Sequence, residues 1–304
     1  MTELPLAVPG PGPLPAPGPG AGPGPFAVPG PPPVLLAVAH GTAERAGIAE
    51  LDALMDQVRS LAPGMRVELS YVDHEPPSVS SALRSLAAEG VPVVALPLLL
   101  VAATHSKSDI AGALREARIA APGFRVAYGR PLGAHPLLLD VLSARLAEAG
   151  AGQDTAVLLV SAGSADPDAN AEIPRIARLL WERRGVAAPV EVAYASATSP
   201  TVPEALERLR RLGHDDVVVV PYFLAPGRFT AAVAADVAAG GARMAEVLGA
   251  HPDVARAVLE RYGEAVAGDI RMNCDVCMYR VAWPGKEQRV GAPQQAHVHP
   301  GDTP

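Results

Sequence analysis

His40 and His105, with Asp73 and Glu75 between them, are the side chains whose types and setting could do chemistry. His40 closes the run Val34-Leu35-Leu36-Ala37-Val38-Ala39 and is followed by Gly41-Thr42. An unbroken small or apolar run of this kind reads as a strand buried on both faces. Its middle has no room for an imidazole. Its carboxyl end, however, opens onto the edge where α/β sheets bind ligands, and a glycine there lets the chain turn sharply. Neutral imidazole binds borderline divalent metals such as Co2+, Fe2+, Ni2+ and Zn2+, and it accepts protons near neutral pH. A closed structural zinc site takes about four ligands. A pair of histidines with an acid leaves coordination positions open, as a site that hands a metal on requires. Metal handling and acid/base work both stay open for these residues.

A second group sits far downstream. The chain's two cysteines, Cys274 and Cys277, lie in Met272-Asn273-Cys274-Asp275-Val276-Cys277. That spacing suits a metal or redox pair better than a disulfide stapling a fold. No Gly-x-x-x-x-Gly-Lys phosphate loop, Gly-x-Ser-x-Gly elbow or His-Glu-x-x-His helix occurs in the chain.

The elements that must position these groups alternate strand and helix from Val34 onward. Strands are predicted at Val34–Ala39, Met65–Val72, Val91–Leu100 and Phe124–Tyr128. Helices are predicted near Arg45–Leu61, Val79–Glu89, Asp109–Ile119 and Leu137–Glu148. Pro76-Pro77-Ser78 makes a fitting helix start and Gly90 a fitting stop.

The second half repeats the first. Val34 to Thr42 pairs with Ala156 to Ser164, Val67 to Tyr71 with Val190 to Tyr194, and Pro97 to Leu100 with Pro221 to Leu224. Leu-Gly-Ala-His-Pro occurs at both Leu132–Pro136 and Leu248–Pro252. Matches that keep their order and offset point to an internal duplication. The expected architecture is therefore α/β, with duplicated domains at 34–150 and 151–267, each a mostly parallel sheet flanked by helices. A flavodoxin-like order would make the first and third strands neighbours.

Duplication also separates structure from chemistry. His135 and His251 are equivalent, which suits a structural role such as capping a helix. His40 falls opposite Ala162, His105 opposite Phe229, and Asp73, His74 and Glu75 opposite Ser196, Ala197 and Thr198. The first half alone keeps the imidazoles and acids that follow its strand ends.

Composition bounds the rest. A length of 304 residues suits two domains, and 49% hydrophobic content supports large cores. Aromatics are only 4% and the net charge is −7, against nucleic-acid or anionic-membrane partners. No apolar run approaches the roughly 20 residues of a membrane helix, and no secretory signal pattern opens the chain, so a cytoplasmic protein is expected. Residues 1–33, rich in proline and glycine, read as a disordered or polyproline-II tail, and 268–304 as a Cys/His-containing tail.

At these residues the chain resembles the class II tetrapyrrole chelatases, specifically the sirohydrochlorin chelatases. The resemblance rests on the strand ending His40-Gly41-Thr42, on Tyr71-Val72-Asp73 followed by Pro77-Ser78-Val79, and on Leu96-Pro97-Leu98-Leu99-Leu100 followed by His105 and Asp109-Ile110. It covers most of 34–145, with the duplicated half continuing to about 265. Thr42 stands where the family usually has Ser, Asp73 where it usually has Glu, and Ala103-Thr104 where Gly is common before the second His.

The resemblance implies insertion of a divalent metal, Co2+ or Fe2+, into sirohydrochlorin, in cobalamin or sirohaem synthesis. His40 and His105 would hold the metal and accept the pyrrole protons, and Asp73 or Glu75 would neutralise charge. The substrate is rich in carboxylates, so Thr42 and the cations Arg45, Lys107, Arg130 and Arg228, which follow strand ends, become its expected contacts. Met-x-Cys-x-x-Cys motifs resembling that of Cys274 and Cys277 are linked to an iron–sulfur cluster in long, cobalt-associated members. A cluster takes about four thiolates, so this one would draw on a second subunit or on His297 and His299. Sirohydrochlorin and a metal ion are then the expected partners, with homo-oligomerisation open. A non-catalytic metal or tetrapyrrole carrier using the same cleft is the alternative.

Overall fold

The computed structural model describes residue 26 and residues 31–268 and 287–292. The rest of the proline/glycine segment, Cys274, Cys277, His297 and His299 lie outside the described residues.

Strands β1 (Val34–Ala39), β2 (Val67–Tyr71), β3 (Val93–Pro97) and β4 (Val126–Tyr128) form a parallel sheet in the order β2-β1-β3-β4. Strands β5 (Ala156–Ser161), β6 (Val190–Tyr194), β7 (Val217–Pro221) and β8 (Arg243–Met244) form a second in the order β6-β5-β7-β8. The registers repeat as well: Leu35 pairs with Val67 as Val157 pairs with Val190. The flavodoxin-like order places β1 beside β3, so the loops leaving them share one edge of the sheet.

The helices are α1 (Arg45–Leu61), α2 (Val79–Glu89), α3 (Ile110–Ala120), α4 (Pro136–Glu148), α5 (Pro167–Arg184), α6 (Val202–Arg211), α7 (Arg228–Gly240) and α8 (Pro252–Ala267). Local chemistry sets their ends. Ser78 Oγ accepts from the Ser81 amide at the start of α2, and Gly90 closes it in the left-handed conformation at φ 70°. His135 and His251 cap α4 and α8, each Nδ1 accepting a backbone amide, from Leu137 and Asp253. Their shared position in the duplication has this structural cause.

Both faces of each central strand are buried, and alternate residues feed different cores. Leu36 and Val38 pack with α2 and α3, and Leu158 and Val160 with α6 and α7. Leu35, Ala37, Val157 and Leu159 face one core shared by the two halves, with α1, α4, α5 and α8. Within that core the closing helices are exchanged. Helix α4 lies against β7 and α5, while α8 lies against β3, β4 and α1. Each sheet is thus covered in part by the other half's last helix.

Candidate active site

The β2-β1-β3 order gathers the loops carrying His40, Asp73 and His105 at one sheet edge. Gly41 makes the first of these loops possible. It takes φ 96°, and the Asp73 amide donates to the His40 carbonyl at 2.9 Å. Gly163 repeats the approach against Ser196, and left-handed His74 (φ 68°) matches left-handed Ala197 (φ 62°). The backbone of the site therefore belongs to the fold, and only its side chains belong to the first half.

The loops open into a cleft of about 840 Å³ between the two halves. His40, Asp73, His74 and His105 line one wall; Ser164, Asn170 and the Tyr222–Thr230 segment line the other. The His40 and His105 rings stand perpendicular with centroids 4.5 Å apart. Two imidazoles bound to one ion at about 2 Å from nitrogen to metal would have centroids roughly 5 Å apart, so the pair is spaced for a shared ion.

Hydrogen bonds decide which nitrogen each ring offers. His40 Nδ1 lies 3.2 Å from the Gly41 carbonyl, which only accepts, so Nδ1 carries the proton. His105 Nδ1 lies 2.6 Å from Asp109 Oδ2 and donates to that buried carboxylate. In each neutral ring the lone pair is then on Nε2, the arrangement of a metal-ligating histidine with an outer partner. Partial desolvation in the cleft and the neighbouring His105 ring both disfavour a positive charge on His40. These effects outweigh the Gly41 carbonyl and Asp73 and hold His40 below the ordinary imidazole pKa. A neutral His40 at pH 7 follows.

His105 sits at the head of a π-helical turn, His105–Asp109, which runs into α3. The predicted helix start at Asp109 is thus preceded by a wider turn of the kind often found at functional sites. The turn is held from two sides. The buried Tyr128 hydroxyl donates to the Ser106 carbonyl at 2.6 Å, and burial pushes that phenol's pKa up. Lys107 Nζ donates to Asp166 Oδ2 at 2.8 Å and to Asp168 Oδ2 at 2.6 Å, across the seam between the halves. Burial opposes the charge on Lys107, but its carboxylate partners outweigh burial and raise its pKa.

Several expected contacts are corrected by this geometry. Lys107 is 7% exposed and paired with acids of the other half, so it does not line the cleft. Arg130 makes a two-pronged pair with Glu264 of α8, at 2.7 and 2.8 Å, because the exchanged helix lies beside it. Arg45 is exposed on the first turn of α1 and Glu75 is half-buried; both lie outside the cleft walls. Thr42, Asp73 and Arg228 do line the cleft. Arg228 stacks over Phe229, 4.7 Å from its ring centre, at the start of α7. Among the described residues, no group of three or more His, Cys, Asp or Glu converges as a ready-made metal cage.

Two residues that the sequence reading names without a role join the site. His74 lines the cleft with its ring 6.4 Å from that of His40. Asp109 orients His105, and the i,i+4 spacing of a His and an Asp was the available signal.

The CbiX family model matches residues 34–149 and again 156–265. The sirohydrochlorin cobaltochelatase of Priestia megaterium is 33% identical over 260 residues, covering 81% of this chain and 84% of its own. The sirohydrochlorin ferrochelatase of Bacillus subtilis is 26% identical over 240 residues, covering 77% of this chain and 92% of its own. Among solved structures, SirB from Bacillus subtilis with Fe3+ superposes with a TM-score of 0.70 at 25% identity, covering 78% of this chain and 96% of that one. The tandem matches fall on the two sheets and the cleft between them, and the chain belongs to the CbiX family.

Proposed function

We propose that this chain is a sirohydrochlorin chelatase, a lyase that inserts Co2+ or Fe2+ into sirohydrochlorin in cobalamin or sirohaem synthesis. The observation that carries the reading is the perpendicular His40/His105 pair, each ring with Nδ1 committed to a hydrogen bond, on the wall of a cleft of about 840 Å³. Relatives across the family carry sirohydrochlorin cobaltochelatase and ferrochelatase names.

In the reaction the divalent ion enters the macrocycle and two pyrrole protons leave. His40 and His105 deliver the ion through Nε2 and take up protons as it departs. Asp73, beside His40, offsets positive charge. Thr42 and Arg228 meet the substrate's polar rim, with the start of α7 adding a favourable field for carboxylates. The active site belongs to 34–150, and 151–267 completes the cleft. Among the described residues no helix is long and apolar enough to cross a membrane, and a cytoplasmic enzyme fits this role.

The test is to incubate substoichiometric protein with sirohydrochlorin and Co2+ or Fe2+ and follow the pigment's absorption. Many turnovers are expected, with His40→Ala and His105→Ala each losing at least about 100-fold, the scale set by losing a positioned proton-transfer group, while remaining folded. Binding without turnover would make the chain a carrier instead. Near-wild-type insertion by either variant would remove the histidines from the mechanism.

Cys274 and Cys277 extend the reading to an iron–sulfur cluster, supported by the likeness of their Met-x-Cys-x-x-Cys motif to that of long family members. A chain with two thiolates supplies half of a usual set of about four, so the rest would come from a second chain or from His297 and His299. Anaerobic purification should then give a brown, iron-containing protein, dimeric where a second chain completes the set. A colourless, iron-free protein with full activity would exclude the cluster.

A further inference from the structure

Lys107, Asp166 and Asp168 form a charged cluster that the proposed reaction does not use. The three are 7%, 0% and 7% exposed. Burying charges is expensive, and here two carboxylates face one ammonium. The amino end of α5 offsets the excess, because Asp166 caps it and Asp168 lies in its first turn.

The cluster is one-sided in the same sense as the site. Glu44 stands at the N-cap position of α1 as Asp166 does at that of α5, but its side chain makes no capping bond. Asp168 corresponds to Ala46, and by the offset relating His105 to Phe229, Lys107 corresponds to Ala231. A seam needed only to join the halves could have been symmetric. This one joins the amino end of α5 to the single turn that carries His105.

The network also reaches the opposite cleft wall. The Asp166 amide donates to Ser164 Oγ at 3.0 Å, and Ser164 exchanges hydrogen bonds with the Asn170 side chain. Ser164 and Asn170 line the cleft. A continuous chain of contacts thus runs from that wall through Asp166 and Lys107 to the π-helical turn.

We infer that Lys107, Asp166 and Asp168 are positioning residues through which the second half, with Ala162 and Phe229 in place of the two imidazoles, holds His105 at the geometry needed to share an ion with His40. This rests on the proposed chelatase reading for its effect on turnover, but not for its effect on the ring.

The test is a variant that removes the clamp without stranding a buried charge: Lys107→Met with Asp166→Asn and Asp168→Asn. Asn keeps the α5 cap. Two measurements decide. NMR of the imidazoles should show the His40–His105 ring contact in the wild type, and its weakening with shifted His105 ring resonances in the folded variant, while Asp109 keeps Nδ1 protonated in both. In turnover, kcat should fall by about tenfold, the scale on which outer partners tune ligating groups, and by more than the KM for sirohydrochlorin changes. A clamp that only joins the halves would lower the melting temperature and leave both readouts in place. An unchanged His105 spectrum overturns the proposal even if the chain proves not to be a chelatase. A changed spectrum in a protein without turnover would leave the clamp standing and sink the function.

Discussion

At Gly41 a Cβ atom would sit 1.9 Å from the Asp73 carbonyl oxygen, and the residue's φ of 96° is one that L side chains rarely adopt. Gly41→Ala is expected to cost about 2 kcal/mol, the range for one residue held in a disfavoured backbone region. Gly163→Ala should cost a similar amount, since its Cβ would lie 2.0 Å from the Ser196 carbonyl. The two differ in function: displacing Asp73 disturbs the wall with His40, whereas displacing Ser196 disturbs a wall without imidazoles. Denaturant melts should therefore agree while insertion rates diverge, with Gly41→Ala the slower. At this scale the duplication made His40, His105 and Asp73 legible, because only a polar side chain on a shared backbone turn stands out. Lys107 was legible as a cation after a strand and no further. Its direction depends on a π-helical turn, and its partners lie 59 and 61 residues away in the chain.

Helix ends were readable where caps announce them and strand ends were not. Proline, serine and glycine bracket α2, and its bounds are those predicted. The third strand was predicted over Val91–Leu100 but is a strand only over Val93–Pro97; Leu98 still donates to the Val38 carbonyl, and the run then lines the cleft. An apolar run looks the same whether it fills a core or a binding wall. The cap of α4 adds a pH dependence. His135 is 4% exposed, and burial, aided by Arg261, lowers its pKa from 6.5 to about 4. With Nδ1 accepting from Leu137, Nε2 carries the proton and donates to Glu260 at 3.1 Å, which suits the neutral ring. The unfolded chain binds this proton at higher pH than the folded one. Stability is therefore full above pH 6.5 and falls as pH drops toward 4, by up to roughly 3 kcal/mol at 1.36 kcal/mol per pKa unit. His135→Asn keeps a capping side chain, and it should flatten the slope of unfolding free energy between those pH values.

For the whole molecule, the exchanged helices join the halves. Tyr222 donates to the Gly133 carbonyl, Arg261 to that of Leu132, and Arg145 to those of Val247 and Leu248, each bond crossing between halves. Sequence periodicity locates each helix and its apolar stripe but says nothing about which sheet it covers, so this exchange could not be read in advance.

The exchange also decides how a bulky guest gets in. Clam-shell motion would have to peel α8 from β3 and α4 from β7, exposing apolar surface worth about 25 cal/mol per Å². The cleft is better regarded as a fixed slot than as a jaw. A flat macrocycle must slip through the standing mouth, and the ion must follow while the slot keeps its width. Small-angle X-ray scattering should accordingly give the same radius of gyration with and without tetrapyrrole and Co2+. Contraction on loading would mean that the interlocked helices yield, and that the width at which the two imidazoles work is set by the guest.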